Sequence, residues 1–171
     1  MKKTPEPIRV IAILHDIRSL HNVGSIFRTA DAAGIEKIYV CGITPSPLDR
    51  FGKFISQFEK VSLGAERSVQ WEKRDETWRV IEKLKKEGYS IFAVEQAKNS
   101  VPYYELWTMH YAPKIVLVMG NEVKGLPKSI LQRADKIIEI PMLGKKESLN
   151  VSVAFGIVAF AVREPVIFGK Q

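Results

Sequence analysis

Lys114-Ile-Val-Leu-Val-Met-Gly-Asn-Glu-Val-Lys-Gly-Leu-Pro127 joins a β-branched apolar run to a polar turn containing two glycines, and ends on a proline suited to open a helix. The same order of parts recurs along the chain. Short β-branched runs at Ile8–Leu14, Lys37–Ile43, Ser68–Trp71, Tyr89–Val94 and Lys136–Met142 are mostly separated by segments with helical spacing or caps. Strands alternating with helices predict an α/β fold, a mostly parallel sheet flanked by helices. The plainest helix is expected over Asp75–Glu87, with Asp75 capping the first turn, Trp78, Ile81 and Leu84 on the apolar face, and Gly88 ending it. A second is expected to begin near Asn22, which can cap it, with Val23, Ile26, Phe27 and Ala30 on one side. A third starts near Pro127 and carries Ile130 and Leu131. Leu149–Val162 is nearly all apolar yet too short for a membrane span, and reads as a helix buried all round, in the core or partly at a subunit interface.

The chain has 171 residues, 46% of them hydrophobic, so a single domain over residues 1–171 with a real core is expected. Lys and Arg outnumber Asp and Glu by 26 to 19; the resulting charge of +7 suits a polyanionic partner, and equally a merely basic soluble protein. The lone Cys41 excludes an intrachain disulfide, and its apolar neighbours place it in the core. His15, His21 and His110 lack the spacing of zinc ligands, so no metal is expected. The apolar stretch Ile8–Leu14 meets His15 and Asp16 too soon for a secretory leader, which predicts a cytoplasmic protein with no membrane segment. Thr44–Arg67 is the least regular stretch. It interleaves Arg50, Lys53, Lys60 and Arg67 with Phe51, Phe54 and Phe58, a mixture that suits either an RNA-facing loop or a surface loop with its aromatics tucked inward.

Ligands of open α/β sheets bind beyond the carboxyl ends of the strands. Three polar, glycine-containing segments fall at such ends: His15–Ala30, Gly120–Pro127 and Pro141–Asn150. One site drawing on all three is the economical expectation. Arg28 lies six residues after Asn22, nearly two helical turns, so the two face differently. On an apolar helix face Arg28 calls for an anionic partner, either Asp16, Asp31 or Glu122 in a salt bridge or an RNA phosphate. The chain has no Gly-x-Gly-x-x-Gly after its first strand and no Gly-x4-Gly-Lys-Ser/Thr, which argues against dinucleotide-dependent dehydrogenases and NTPases. Ser148, His21 and Asp16 form a hydrolase triad on paper only, since no Gly-x-Ser-x-Gly elbow accompanies them.

Together the three segments resemble the SpoU/TrmH family of RNA ribose methyltransferases. Asn22-Val-Gly-Ser-Ile-Phe-Arg28-Thr29 is similar to its Asn-x-Gly/Ser-x-x-x-Arg-Thr motif, and Gly120-Asn121-Glu122-Val-Lys-Gly125-Leu126 to its Gly-Asn-Glu-x-x-Gly-Leu signature. Ile140-Pro141-Met142 followed by Ser148-Leu149-Asn150-Val-Ser-Val-Ala154 resembles its third motif, and the likeness runs from about Ile8 to Val162. The resemblance implies a C-terminal deep trefoil knot, a homodimer, and S-adenosylmethionine held by Met119, Gly120, Asn121, Gly125, Leu126, Ile140, Pro141, Met142, Ser148 and Leu149. It implies methyl transfer to a ribose 2′-hydroxyl of RNA, of tRNA sooner than rRNA for so small a chain, with Arg28, Asn22, Glu122, Ser148 and Asn150 as the catalytic group. Arg28 is expected to clamp a phosphate and stabilise the developing alkoxide, with Glu122 steering Arg28 or the proton and Asn22 orienting the ribose. No appended RNA-binding domain is expected before Ile8, so RNA would be chosen by the core surface, the dimer partner or another protein. The rival reading is a catalytically silent RNA-binding protein of the same fold.

Overall fold

The computed structural model describes residues 8–107 and 113–163, which leaves His110 outside the described residues. In chain order the elements are β1 (Arg9–His15), α1 (Leu20–Ala32), β2 (Lys37–Cys41), α2 (Ser56–Ser62), α3 (Ala65–Ser68), β3 (Gln70–Arg74) and α4 (Thr77–Lys86). Then come β4 (Ser90–Val94), β5 (Val101–Pro102), a 3-10 turn (Tyr103–Trp107), β6 (Lys114–Met119), α5 (Lys128–Leu131), β7 (Lys136–Glu139) and α6 (Val151–Ala161). All strand pairs are parallel, and the sheet runs β3-β2-β1-β6-β4-β7-β5. Every carboxyl end therefore lies along one edge. The order steps outward from β1 to β3, then crosses to β4, with β6 inserted between the two halves. That reversal opens a crevice at the ends of β6 and its neighbours.

Strand alternation divides the core between the two faces of the sheet. Val10, Ala12 and Leu14 of β1 and Ile115, Leu117 and Met119 of β6 pack with Ile26, Phe27, Phe58 and Phe155 from α1, α2 and α6. Ile11, Ile13, Val116 and Val118 point the other way, onto Val80, Ile81 and Leu84 of α4 and Ile130 of α5. Cys41 is buried on this second face, and burial pushes its thiol up to about 11, in keeping with a packing role. Arg163, just past α6, donates its guanidinium hydrogens to the carbonyls of Ile8, Ala33 and Gly34, tying the end of α6 to the start of β1 and the end of α1.

Several local expectations need correction. Glu76, not Asp75, occupies the N-cap of α4 and makes no side-chain cap, while Trp78 is 40% exposed and Thr77 and Val80 take the inner face. The two-residue strand β5 and the shift of β3 to Gln70–Arg74 were not legible, because short edge strands carry little periodic signal. The α6 region, expected to be buried in the core or partly at a subunit interface, is not fully covered by the core of one chain: Val153 and Phe160 are 51% and 43% exposed on the helix, and Leu149 before it is 40% exposed. These residues, with half-buried Gly156 and Ile157, form an apolar stripe along one side of this chain.

The irregular stretch is half core and half surface. Phe58 is fully buried with its ring edge-on to Phe27 at 5.1 Å, whereas Phe51 is 72% exposed. Phe58→Ala is expected to lower unfolding free energy by about 3–5 kcal/mol, the usual loss for a buried aromatic, with the urea m-value unchanged. A loss below about 1 kcal/mol in urea titrations would mean that α2 does not pack onto α1 in this way.

Candidate active site

The crevice is a cleft of about 290 Å³ at the carboxyl ends of β4, β6 and β7, close to the lower size of small-ligand sites. Its walls come from Met119, Gly120, Asn121, Glu122, Val123 and Gly125 after β6, from Glu139, Ile140 and Met142 after β7, and from Ser148, Leu149, Asn150, Val151 and Ala154 at the start of α6. Val94, Glu95 and Gln96 at the end of β4 complete it.

The turn after β6 is built by one side chain. Asn121 Oδ1 accepts from the amides of Val123 and Lys124 at 2.9 Å, and its Nδ2 donates to the Asp16 carbonyl at 2.7 Å, pinning the turn to the end of β1. Gly125 has φ +62°, and a Cβ there would collide with the Glu95 carboxylate. Glu95 in turn accepts from the Leu126 amide at 2.8 Å. A Cβ on Gly120 would lie 2.7 Å from the Gly125 carbonyl carbon, so only glycine lets the two arms of the turn approach.

Glu122 leaves this turn and caps α1 from outside. Its carboxylate accepts from the amides of Arg18 at 2.9 Å and Ser19 at 3.0 Å, and from Asn22 Nδ2 at 3.0 Å. Desolvation by itself would raise the Glu122 pKa, but these donors, together with its own backbone amide, outweigh it and hold the carboxyl below its ordinary range. Asn22 Oδ1 accepts from Asn150 Nδ2 at 3.1 Å, and Asn150 Oδ1 accepts from the Ser152 amide at 2.9 Å, capping α6. A single polar chain thus runs from the β6 turn through α1 to α6.

The structure brings together most of the expected residues. Asn22 is not the N-cap of α1; Ser19 is, accepting from the Asn22 amide at 3.2 Å, and this frees the Asn22 side chain for Glu122 and Asn150. Leu126 is buried behind the cleft and neither it nor Pro141 lines it. Arg28 is not amid an apolar face: it is exposed, makes no ion pair among the described residues, and lines a shallow surface groove with Asp31, Ser62, Leu63 and Ser68. Asp16 accepts from the Ile43 amide, Asp31 from the Ser68 hydroxyl, and Glu122 is occupied as described, so no expected salt bridge to Arg28 forms. Glu95, Gln96 and Glu139 were missed. The strand-end rule points equally to Glu95-Gln96 after β4, where no glycine marks the turn.

Replacing Glu122 by Gln puts an amide NH₂ among three donors, so Glu122→Gln should melt several degrees lower at neutral pH. Because its pKa is depressed in the folded state, the carboxylate's contribution is present above the ordinary glutamate value of about 4.3 and fades as pH falls through the folded value. Melting curves of both proteins should therefore converge on acidification. A constant gap down to pH about 3 would show that the charge of Glu122 does not matter.

The model of the SpoU rRNA methylase family matches residues 9–160. The tRNA (guanosine(18)-2′-O)-methyltransferase of Aquifex aeolicus is 34% identical over 88% of this chain and 67% of its own. A crystal structure of the AdoMet-bound rRNA methyltransferase from Sinorhizobium meliloti superposes with TM-score 0.81 at 31% identity, over 94% of this chain and 57% of that one. A structure described as giving insight into the 2-OH methylation of C/U34 on tRNA has TM-score 0.75 at 25% identity and spans 96% of this chain and 99% of its own. Curated relatives such as those of Aquifex aeolicus, Escherichia coli and Blochmanniella floridana are longer, the chain spanning 67%, 60% and 56% of their length. With a match that runs through every strand of the sheet and nearly all of α6, this chain belongs to the SpoU rRNA methylase family.

Proposed function

We propose that this protein is an S-adenosylmethionine-dependent methyltransferase that methylates a ribose 2′-hydroxyl of RNA, of tRNA in preference to rRNA. It acts in the cytoplasm, without a metal, as a homodimer in which residues 1–171 of each subunit form one domain. The observation that carries this reading is the character of the cleft. Its walls include Glu95, Glu122 and Glu139 beside Val94, Met119, Ile140, Met142, Leu149 and Val151, and among the described residues no lysine or arginine. Such walls repel the pyrophosphate of a dinucleotide and suit a cationic nucleoside.

When bound, S-adenosylmethionine supplies an electrophilic methyl group on a positively charged sulfonium. The residues that would hold it are Gly120, where the main chain comes close, the 140–142 segment, and the apolar side chains of Met142 and Leu149; Ser148 and Asn150 stand at the polar end of the cleft. The chain's remaining task is to align the hydroxyl oxygen and to stabilise its negative charge as the proton leaves. Asn150, held by Asn22, is placed to orient the ribose. The preference for tRNA draws support from the match with a chain of almost equal length whose description concerns tRNA. A trefoil knot in the C-terminal third is supported by the strand order: β6 enters between β1 and β4, β7 between β4 and β5, and the Glu147 carbonyl meets Gln96 Nε2 at 2.8 Å before the chain reaches α6.

Arg28 does not line its own cleft, and α6 carries an uncovered apolar stripe beside α1. A homodimer that covers this stripe accounts for both, if the partner subunit's Arg28 completes each cleft as phosphate clamp.

Arg28→Ala is expected to lower single-turnover methylation by about 10²–10³-fold and leave S-adenosylhomocysteine affinity and melting temperature unchanged; Arg28→Lys should fail as well. A folded Arg28→Ala protein within a few-fold of wild type would remove Arg28 from the site. Mixing Arg28→Ala with Ser148→Trp, which fills the cleft from an exposed loop, should restore activity through heterodimers, each carrying one intact site. Absence of any recovery in exchanged dimers would count against the shared site. For the reading as a whole, S-adenosylhomocysteine should raise the melting temperature where NAD does not, and mass-spectrometric mapping should find a 2′-O-methyl group missing from the RNA of cells that lack the protein.

A further inference from the structure

The segment between β2 and α2 begins at the same sheet edge as the cleft, since β2 runs parallel to β6. In the sheet order β2 is two strands from β6, so about 10 Å along the edge separates their ends. The base of the segment is fixed: buried Thr44 donates its hydroxyl to the Leu14 carbonyl at 3.0 Å and accepts from the Ile17 amide at 3.0 Å. Lys73 Nζ holds the Gly42 and Thr44 carbonyls at 2.5 and 2.6 Å.

From this base rises a tight turn over Asp49–Lys53. Asp49 Oδ1 accepts from the amides of Phe51 and Lys53 at 2.8 and 3.0 Å, the Asp49 amide donates to the Lys53 carbonyl at 2.8 Å, and Gly52 adopts φ +75°. Its carboxylate is thereby spent on building the turn. At the tip Phe51 is 72% exposed, and the Arg50 guanidinium lies 4.7 Å from its ring centre. The other carboxylates nearby are also engaged: Glu59 pairs with Arg67 at 2.7 Å, and Glu66 is buried against the Ser62 hydroxyl at 2.5 Å. Arg50, Lys53, Lys60 and, across the α1–α3 groove, Arg28 are exposed and form no salt bridge among the described residues. An aromatic ring on a turn braced by its own backbone hydrogen bonds, amid cations that form no salt bridge among the described residues, offers what single-stranded RNA recognition uses, one face for a base and charges for the phosphates beside it.

We propose that the Asp49–Lys53 turn is an RNA-stacking finger: Phe51 stacks an unpaired base next to the reacting nucleotide, and Arg50 and Lys53 hold the flanking phosphates. This rests on the methyltransferase reading for the identity of the partner, and adds to it the kind of RNA accepted, one with an unstacked base close to the target ribose.

The test measures binding of a fluorescein-labelled single-stranded oligouridine, and of unfractionated tRNA, to the full chain across a salt series. Phe51→Ala should weaken both by about five-fold or more with the salt slope unchanged, and Phe51→Trp should restore binding. Lys53→Ala should make the slope shallower by about 0.7. At saturating tRNA, Phe51→Ala should keep kcat and raise KM. Equal affinity of Phe51→Ala and wild type would overturn the proposal, including the case where the turn serves a protein partner; so would an equal loss in Phe51→Trp. Should the wild type bind oligouridine through Phe51 yet transfer no methyl group, the finger stands and the activity falls. Should it methylate RNA with Phe51→Ala indistinguishable, the reverse holds.

Discussion

The carboxylate of Glu122 is the point on which the geometry of the cleft depends. It sits on the turn after β6, accepts two amides from the segment entering α1 and one from Asn22, and through Asn22 reaches Asn150 at the start of α6. The start of α1 is thereby held to two elements a hundred or more residues later in the chain, directly by one ionised group and, through Asn22, to α6. Charged acceptors are worth roughly twice a neutral one, and here the acceptor also offsets the orphan amides at the start of a helix. The position of Asn150 at the cleft is a consequence of this network.

Charge is distributed unevenly between the inside of the cleft and its surroundings. Glu95, Glu122 and Glu139 line it, while Arg28, Arg50, Lys53 and Lys60 lie on the exposed surface around the β2–α2 region. Among the described residues, exposed cations thus stand outside the cleft, whose lining is acidic. In the proposed reaction, a cofactor with a positive centre and a polyanionic substrate would approach the same edge without competing for the same groups.

The exposed stripe on α6 and the displaced Arg28 have a common origin in the packing of α1 against α6. Asn22 and Arg28 are six residues apart on α1, so the face that turns Asn22 inward to Glu122 and Asn150 turns Arg28 outward. The helix cannot present both to one cleft. Glycine suits the close approaches of these helices: a Cβ at Gly24 would lie 3.0 Å from Val61 of α2, and one at Gly156 of α6 would stand 3.6 Å from Thr29 of α1.

The alternation of β-branched runs and helical spacing made the parallel α/β class legible, and polar, glycine-bearing strand ends marked Gly120–Gly125 and the Ser148–Asn150 region. Periodicity and turn chemistry are local, so the chain states them directly. Strand order, by contrast, depends on which runs meet across the sheet, and nothing local in Lys114–Met119 says that it lies between β1 and β4. Asn22 reads as a helix cap until Ser19 is seen in that place, because several residues near a helix start can accept the same amide. Glu95, without a glycine beside it, acquires meaning only when Gly125 and Leu126 close on its carboxylate from a distance of some thirty residues. Residue types and short-range spacing determined the fold class and most of the site's members; tertiary packing alone decided their partners, since hydrogen bonds between remote segments leave no periodic trace in the chain.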